Sequence, residues 1–330
     1  MYTICEGKRM KISNSLKIAT FNKKLWLKTM LAKTLFLGVF IAVIYAIASI
    51  LIIEPILKSV ELKGLISAFR SVISDYVLMD DTQIETHAGI IKEAVTSLGV
   101  FVKSRLANII WTAVSIIILY QLFKFIFAMF DYVIGININE HMSSMLHAGF
   151  FSTLFENFKP AFMFALFRTI AMFIYNIVVF VLITALFFIF IEMLGMFALT
   201  VIMAVIFLSI ALRLTFTGLV LPIVICENKG PIEAFKISFK YFKIDEAFNR
   251  FFSYLIVSVV VYVVVVISGI VTFNLSYILT IPLSSIIFKS LRFVDYYTVT
   301  CKKYYITFDE IVVPKELRQN DEQLLNKVDI

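Results

Sequence analysis

Charge is scarce in this chain. Only 16% of its residues are charged, whereas 61% are hydrophobic. A soluble domain carries roughly a quarter charged residues and about half apolar ones. A protein interior of this size cannot hide so large an apolar load behind so little polar surface, which points to lipid as the outer solvent. Cysteine and histidine are equally sparse, at three each. Cys5, Cys226 and Cys301 have no metal-ligand spacing, and all three fall on the side expected to be cytoplasmic. Reducing conditions there argue against a disulfide framework, so three unpaired thiols are expected. His87 stands alone, and His141 and His147 lie on different faces of a helix, which excludes a joint metal ligand pair. HExxH, GxSxG, the Walker loop and GxGxxG are all missing. The expectation is therefore a non-enzymatic protein with no cofactor and no metal.

Long apolar runs dominate what is present. The first spans 34–56, after a basic tail over 1–33 that holds Lys8, Arg9, Lys11, Lys17, Lys23, Lys24, Lys28 and Lys33 against Glu6 alone. An apolar run of this length crosses a bilayer core of ~30 Å. Ala46-Ile47-Ala48 resembles a signal-peptidase site, but the apolar run continues beyond it to Ile56, so the segment reads as an uncleaved anchor. Five further runs, at about 106–128, 165–192, 196–222, 251–273 and 277–299, make a five-span bundle over 106–299. The whole chain is expected to be all-α, a polytopic transmembrane helical bundle of about six spans. The last span, diluted by Ser284, Ser285, Lys289 and Ser290, is the one whose loss would leave five.

Orientation follows from where the cations sit. With the N-terminus inside, cytoplasmic segments hold nineteen Lys and Arg residues and outer segments six. The positive-inside rule then places both termini, including a polar tail over 300–330, in the cytoplasm of a cell-membrane protein. A basic flank before an apolar helix suits anionic lipid rather than nucleic acid.

Residues 57–105 are more than a connector. Leu62, Leu65, Ile66, Phe69, Val72, Ile73 and Tyr76 recur at three- and four-residue spacing, and Ile84, Ala88, Ile91, Val95, Leu98 and Val102 do the same. Thr82-Gln83-Ile84-Glu85 between them fits a capping box. An outer helical hairpin is expected, either packed on itself or offered to a membrane-protein partner. On the inner side, His141 to Phe158 reads as an interfacial helix, and the chain from Pro314 as a flexible tail.

Ionisable residues within spans are costly and are functional candidates. Arg213 lies nine residues before Pro222, about 13 Å along a helix rising ~1.5 Å per residue. It reads either as an anion ligand inside the bundle or as a side chain that snorkels to the interface. Lys124, Arg168, Lys289 and Arg292 read as snorkelling residues near inner span ends. Beyond Arg213, Pro222 loosens a helix end, Glu227-Asn228-Lys229-Gly230 makes a turn, and Pro231 starts an amphipathic helix. Its Ile232, Phe235, Phe239 and Phe242 share one face, with Lys236, Lys240 and Lys243 toward the other. Such a helix suits anionic lipid or a partner at the inner interface, or serves as a structural elbow.

The pattern Arg213…Pro222…Glu227, then Gly230-Pro231-Ile232-Glu233-Ala234…Ser238 and a further span, resembles a group of six-span bacterial membrane proteins. These are similar to the membrane domain attached to some glycerophosphodiester phosphodiesterases. The likeness covers about residues 100–300 and implies the fold. The soluble phosphodiesterase domain of that family has no counterpart here, so its activity is not carried over. Two functions remain in play. One is a non-enzymatic organiser or accessory for lipid or partner proteins. The other is a transporter or permease component that uses Arg213 and the helix break at Pro222.

Overall fold

The computed structural model describes residues 12–77, 84–145, 149–195, 197–242, 244–273, 275–307 and 309–313. Among them, six helices are long and apolar enough to cross a membrane: Lys23–Leu57, Leu106–Ser144, Phe158–Ile191, Phe197–Glu227, Glu246–Val271 and Tyr277–Val299. Large apolar side chains stay exposed along them, among them Leu35, Ile118, Phe180 and Val264. Such a surface is stable in hydrocarbon and prohibitive in water. The protein is an all-α polytopic membrane protein.

In chain order the helices are α1 (Ile12–Phe21), α2 (Lys23–Ala48), α3 (Glu54–Leu57), α4 (Val60–Val77), α5 (Ile84–Ser104), α6 (Leu106–Ser144) and α7 (Phe150–Glu156). They continue with α8 (Phe158–Leu194), α9 (Phe197–Thr217), α10 (Val220–Glu227), α11 (Pro231–Lys240), α12 (Ile244–Val271) and α13 (Tyr277–Val299). A wider π turn, Ser49–Ile53, joins α2 to α3. Pro55 stands just after it, and a proline ring clashes with the carbonyl four residues back, which a locally wider helix relieves.

The chain divides into two compact units, residues 35–123 and residues 1–34 with 124–330. In the smaller unit α4 packs on α5. Leu62, Leu65, Ala68 and Val72 on one arm and Ile91, Ala94 and Leu98 on the other are buried or half-buried, while Ile66, Phe69, Ile73 and Val95 remain exposed. The hairpin thus packs on itself through part of each stripe. Its expected capping box falls on Thr82 and Gln83, outside the described residues.

In the larger unit α9 packs on α8 and α12, and α12 on α13. Ala211, Leu214, Tyr254, Val257 and Leu291 form its apolar centre. The C-terminal half of α6 is also interior, with Val133, Ile134, Ile138 and Met142 almost fully buried. That helix runs past the end of its apolar run because protein, rather than lipid, covers it.

Two segments assigned to tails carry structure. Residues 12–21 form α1, which packs on α13 and on β1 (Tyr304–Thr307). β1 pairs antiparallel with β2 (Glu310–Val312). Asn14 Nδ2 donates to Tyr304 Oη at 2.9 Å, His141 Nε2 lies 3.2 Å from the Ile306 carbonyl, and Lys17 pairs with Glu310 at 2.8 Å. Burial pushes the Tyr304 phenol above its ordinary pKa. The chain from Pro314 onward and His147 lie outside the described residues. The interfacial segment expected over His141 to Phe158 is instead divided. His141 belongs to α6 and is fully buried, and only the short α7 precedes α8.

The expectation of three free thiols is corrected for one of them. Cys226 is free, but Cys301 is disulfide-bonded. The positive φ of 53° at Cys301 belongs to the turn that leads from α13 into the strand pair.

Candidate functional site

The singled-out segment begins at Arg213, half-buried on α9. Its guanidinium sits 5.9 Å from the centre of the Tyr175 ring on α8, and the Tyr175 hydroxyl donates to the Ser209 carbonyl at 2.7 Å. Below it the helix breaks at Gly218 and Leu219, between α9 and α10. The residue four positions before Pro222 is Gly218, so the break falls where the proline ring would strike a helical carbonyl. A side chain at Gly218 has no room. An added Cβ would lie 2.5 Å from the Leu214 carbonyl oxygen and 2.6 Å from Tyr254 Oη. Pro222 itself is buried. Glu227 accepts a hydrogen bond from Tyr296 Oη at 2.9 Å, and Asn228, left-handed at φ 52°, caps α10.

Helix α11 presents three faces rather than two. Ala234, Ile237 and Ser238 are buried, because this face packs against α8 and α9. Ile232 and Phe239 are exposed, and so are Lys236 and Lys240. The phenylalanines expected on one face do lie together: Phe235 meets Phe239 at 5.0 Å, Phe216 meets both Phe239 and Phe242 at 6.1 and 5.1 Å, and Phe235 also meets Phe167 at 6.0 Å. Lys243 lies outside the described residues. Arg213 and the α11 lysines are therefore not one site, since Arg213 faces the α8–α9 seam and Lys236 and Lys240 face outward.

A different cluster gathers the most charged groups among the described residues. Asp131 on α6 accepts Lys33 Nζ of α2 at 3.0 Å and Lys289 Nζ of α13 at 2.7 Å on one oxygen, and Arg168 Nη1 of α8 at 2.6 Å on the other. Lys33 Nζ also donates to Ser285 Oγ at 2.6 Å. Lys289 Nζ bonds the same hydroxyl and, at 3.2 Å, the Ser285 carbonyl. The side chains of Lys33, Asp131 and Lys289 are 7%, 11% and 4% exposed, while that of Arg168 is 29% exposed. Lys33, placed in a tail by its neighbours in sequence, and Arg168 and Lys289, expected to snorkel, are instead partners of one buried carboxylate.

The positive charge extends further. Arg292, one turn beyond Lys289 on α13, lies within electrostatic range of Asp131, Arg168 and Arg213. Its Nε is buried without a hydrogen-bond partner. Three cations thus bond one carboxylate, and Arg292 adds a fourth positive charge within its range. Two further acids pair with another arginine: Arg250 Nε binds Asp295 Oδ1 at 3.0 Å and its Nη2 lies 3.5 Å from Glu246. Arg213 stands only four residues from the end of α9, whereas Lys33, Arg168, Lys289, Arg292 and Asp131 lie about seven to thirteen residues from one end of their helices, or roughly 10–20 Å at 1.5 Å per residue. These charges fall toward one end of the helices, near a headgroup layer. Among the described residues no group of His, Cys, Asp and Glu is placed to hold a metal ion.

Fold and cluster together define the class, an all-α multi-span membrane protein with a buried, net-cationic cluster at one end of its helices. Comparison with protein families, with curated protein sequences and with solved structures finds no match to this chain.

Proposed function

We propose that this protein is a non-catalytic organiser of anionic lipid, or of partners that associate through lipid, in the cell membrane. The cationic end then faces the cytoplasmic leaflet, with both termini on that side. What carries the reading is the excess of cations around Asp131, drawn from α2, α8 and α13. An unbalanced buried charge costs several kcal/mol, and a lipid phosphate at the same depth offsets it. The exposed Lys236 and Lys240 on α11, beside the exposed Ile232 and Phe239, support the same reading: they combine an apolar anchor with charge for anionic headgroups.

The test is the lipid carried by the protein when it is extracted into native nanodiscs. Enrichment of anionic phospholipid over the bulk membrane is expected. A lipid belt of bulk composition would remove the reading.

A second reading is favoured by one observation, the break at Gly218 and Leu219 beside Tyr254. Discontinuous helices line pathways in many carriers, and Arg213 stands one turn before this break. A permease component would then show solute flux in vesicles that Arg213→Ala abolishes.

A further inference from the structure

The Asp131 cluster leaves part of its charge unanswered, and the remainder lies on three arginines. Arg168 spends one nitrogen on Asp131. Arg213 sits over the Tyr175 ring at 5.9 Å, and among the described residues no acidic side chain pairs with it. Arg292 keeps a buried Nε with no acceptor. The three are within mutual electrostatic range. Three like charges crowded in a partly dehydrated seam repel one another, and Asp131, already shared with two lysines, cannot neutralise them.

We infer that Arg168, Arg213 and Arg292 form a binding site for a phosphate group, the headgroup phosphate of a membrane lipid or a free phosphate. Guanidinium is the fitting donor for such a ligand. It is planar, weakly hydrated and always charged, and it offers paired N–H groups that match two oxygens of a phosphate at once. Three guanidiniums from α8, α9 and α13 surround a tetrahedral oxyanion better than the flat, two-oxygen face of a carboxylate. The supporting layer is present as well. Asp131 holds Arg168 in place through a 2.6 Å bond, and the Tyr175 ring, tied to Ser209 through its hydroxyl, backs Arg213. Lys33 and Lys289 are held by Asp131 and Ser285, so they raise the local potential without occupying the ligand's place. The inference rests on the lipid reading above only where the phosphate is that of a lipid.

The experiment uses the full-length protein in detergent, stripped of lipid, with native mass spectrometry and thermal melting as the two readouts. The probes are short-chain phosphatidic acid and phosphatidylglycerol, short-chain phosphatidylcholine and inorganic phosphate. The variants are Arg213→Gln and Arg292→Gln, each paired with its Arg→Lys counterpart, and Lys63→Gln as an exposed control on α4. Saturable binding of the anionic lipids is expected, weakened at least tenfold by either glutamine variant, partly restored by lysine and unaltered in the control. The lysine variants also guard against misfolding, because a variant that melts like wild type and still binds weakly has lost a ligand contact. If inorganic phosphate binds with the same arginine dependence and the lipids do not, the phosphate site stands and the lipid reading fails. Lipid enrichment that is indifferent to Arg213 and Arg292 overturns the site and leaves the lipid reading intact. Binding of none of the probes overturns the site outright.

Discussion

The sign of a lysine's contribution should depend on Asp131. In the wild-type protein Lys289 Nζ and Lys33 Nζ lie 2.7 and 3.0 Å from the same carboxylate oxygen, which places the two ammonium groups within about 6 Å of each other. At an effective dielectric constant of about 20, attraction across ~3 Å is worth about 5 kcal/mol and repulsion across ~6 Å about 3 kcal/mol. Lys289→Met in the wild-type background removes more attraction than repulsion and is expected to destabilise. Asp131→Asn alone leaves three cations facing a neutral amide and should be the most damaging single change, at about 3–5 kcal/mol. In the Asp131→Asn background only the repulsion remains, so Lys289→Met should restore on the order of 2–3 kcal/mol. The cycle is measured by thermal melting in one detergent, with aggregation-corrected fluorescence, for the wild type, both single variants and the double variant. Equal and additive losses from the two substitutions, with no change of sign for Lys289→Met, would refute the claim that one carboxylate organises this cluster.

Three further outcomes follow from particular contacts. Gly218→Ala puts a methyl group against the Leu214 carbonyl and Tyr254 Oη, and should cost about 1–3 kcal/mol as overpacking does; Tyr254→Phe should recover only part of the loss, because the backbone oxygen remains, and thermal melting of both variants checks this. Lys17→Ala removes an ion pair whose members are about half exposed, so the same assay should register less than about 1 kcal/mol. A melting loss as large as that of Asp131→Asn would show that α1 depends on this pair rather than on its buried face. Finally, if the termini are cytoplasmic, Cys301 should be reduced in intact cells and should react with a membrane-permeant maleimide but not with an impermeant one. Protection from the permeant reagent that only a reductant relieves would place this end of the helices outside.

The six spans were legible because each is a long apolar run, and length against bilayer thickness is a one-dimensional property that sequence displays directly. The hairpin was legible for the same reason, its periodicity being local. The cluster was not, because its members come from four helices and residues such as Lys33 and Asp131 are 98 positions apart. A usable signal did exist. Asp131 is the only acidic residue between Leu106 and Ile138, and a lone carboxylate at the end of an apolar run needs cationic partners. Snorkelling explained Arg168 and Lys289 one at a time and so hid their common partner. The strand pair was missed for a similar reason. Tyr304 and Ile306 alternate with more exposed neighbours, but the segment had been assigned to a tail by its position after the last span.

Charge and sulfur point to opposite sides of the membrane. Nineteen of the cations counted in connecting segments fall on the side that holds the termini, and the positive-inside bias acts during insertion, before the tertiary structure exists. A disulfide forms later and only where the compartment allows it, which the cytosol does not. The two observations therefore carry different weight. The cation bias acts on the path by which the chain enters the bilayer, whereas the bond at Cys301 belongs to the folded chain. If the termini lie inside, reducing conditions would open the bond at Cys301, while Asn14–Tyr304 and the buried face of α1 would still join α1 to the strand pair without sulfur. The redox state of Cys301 then reports the compartment, not the fold.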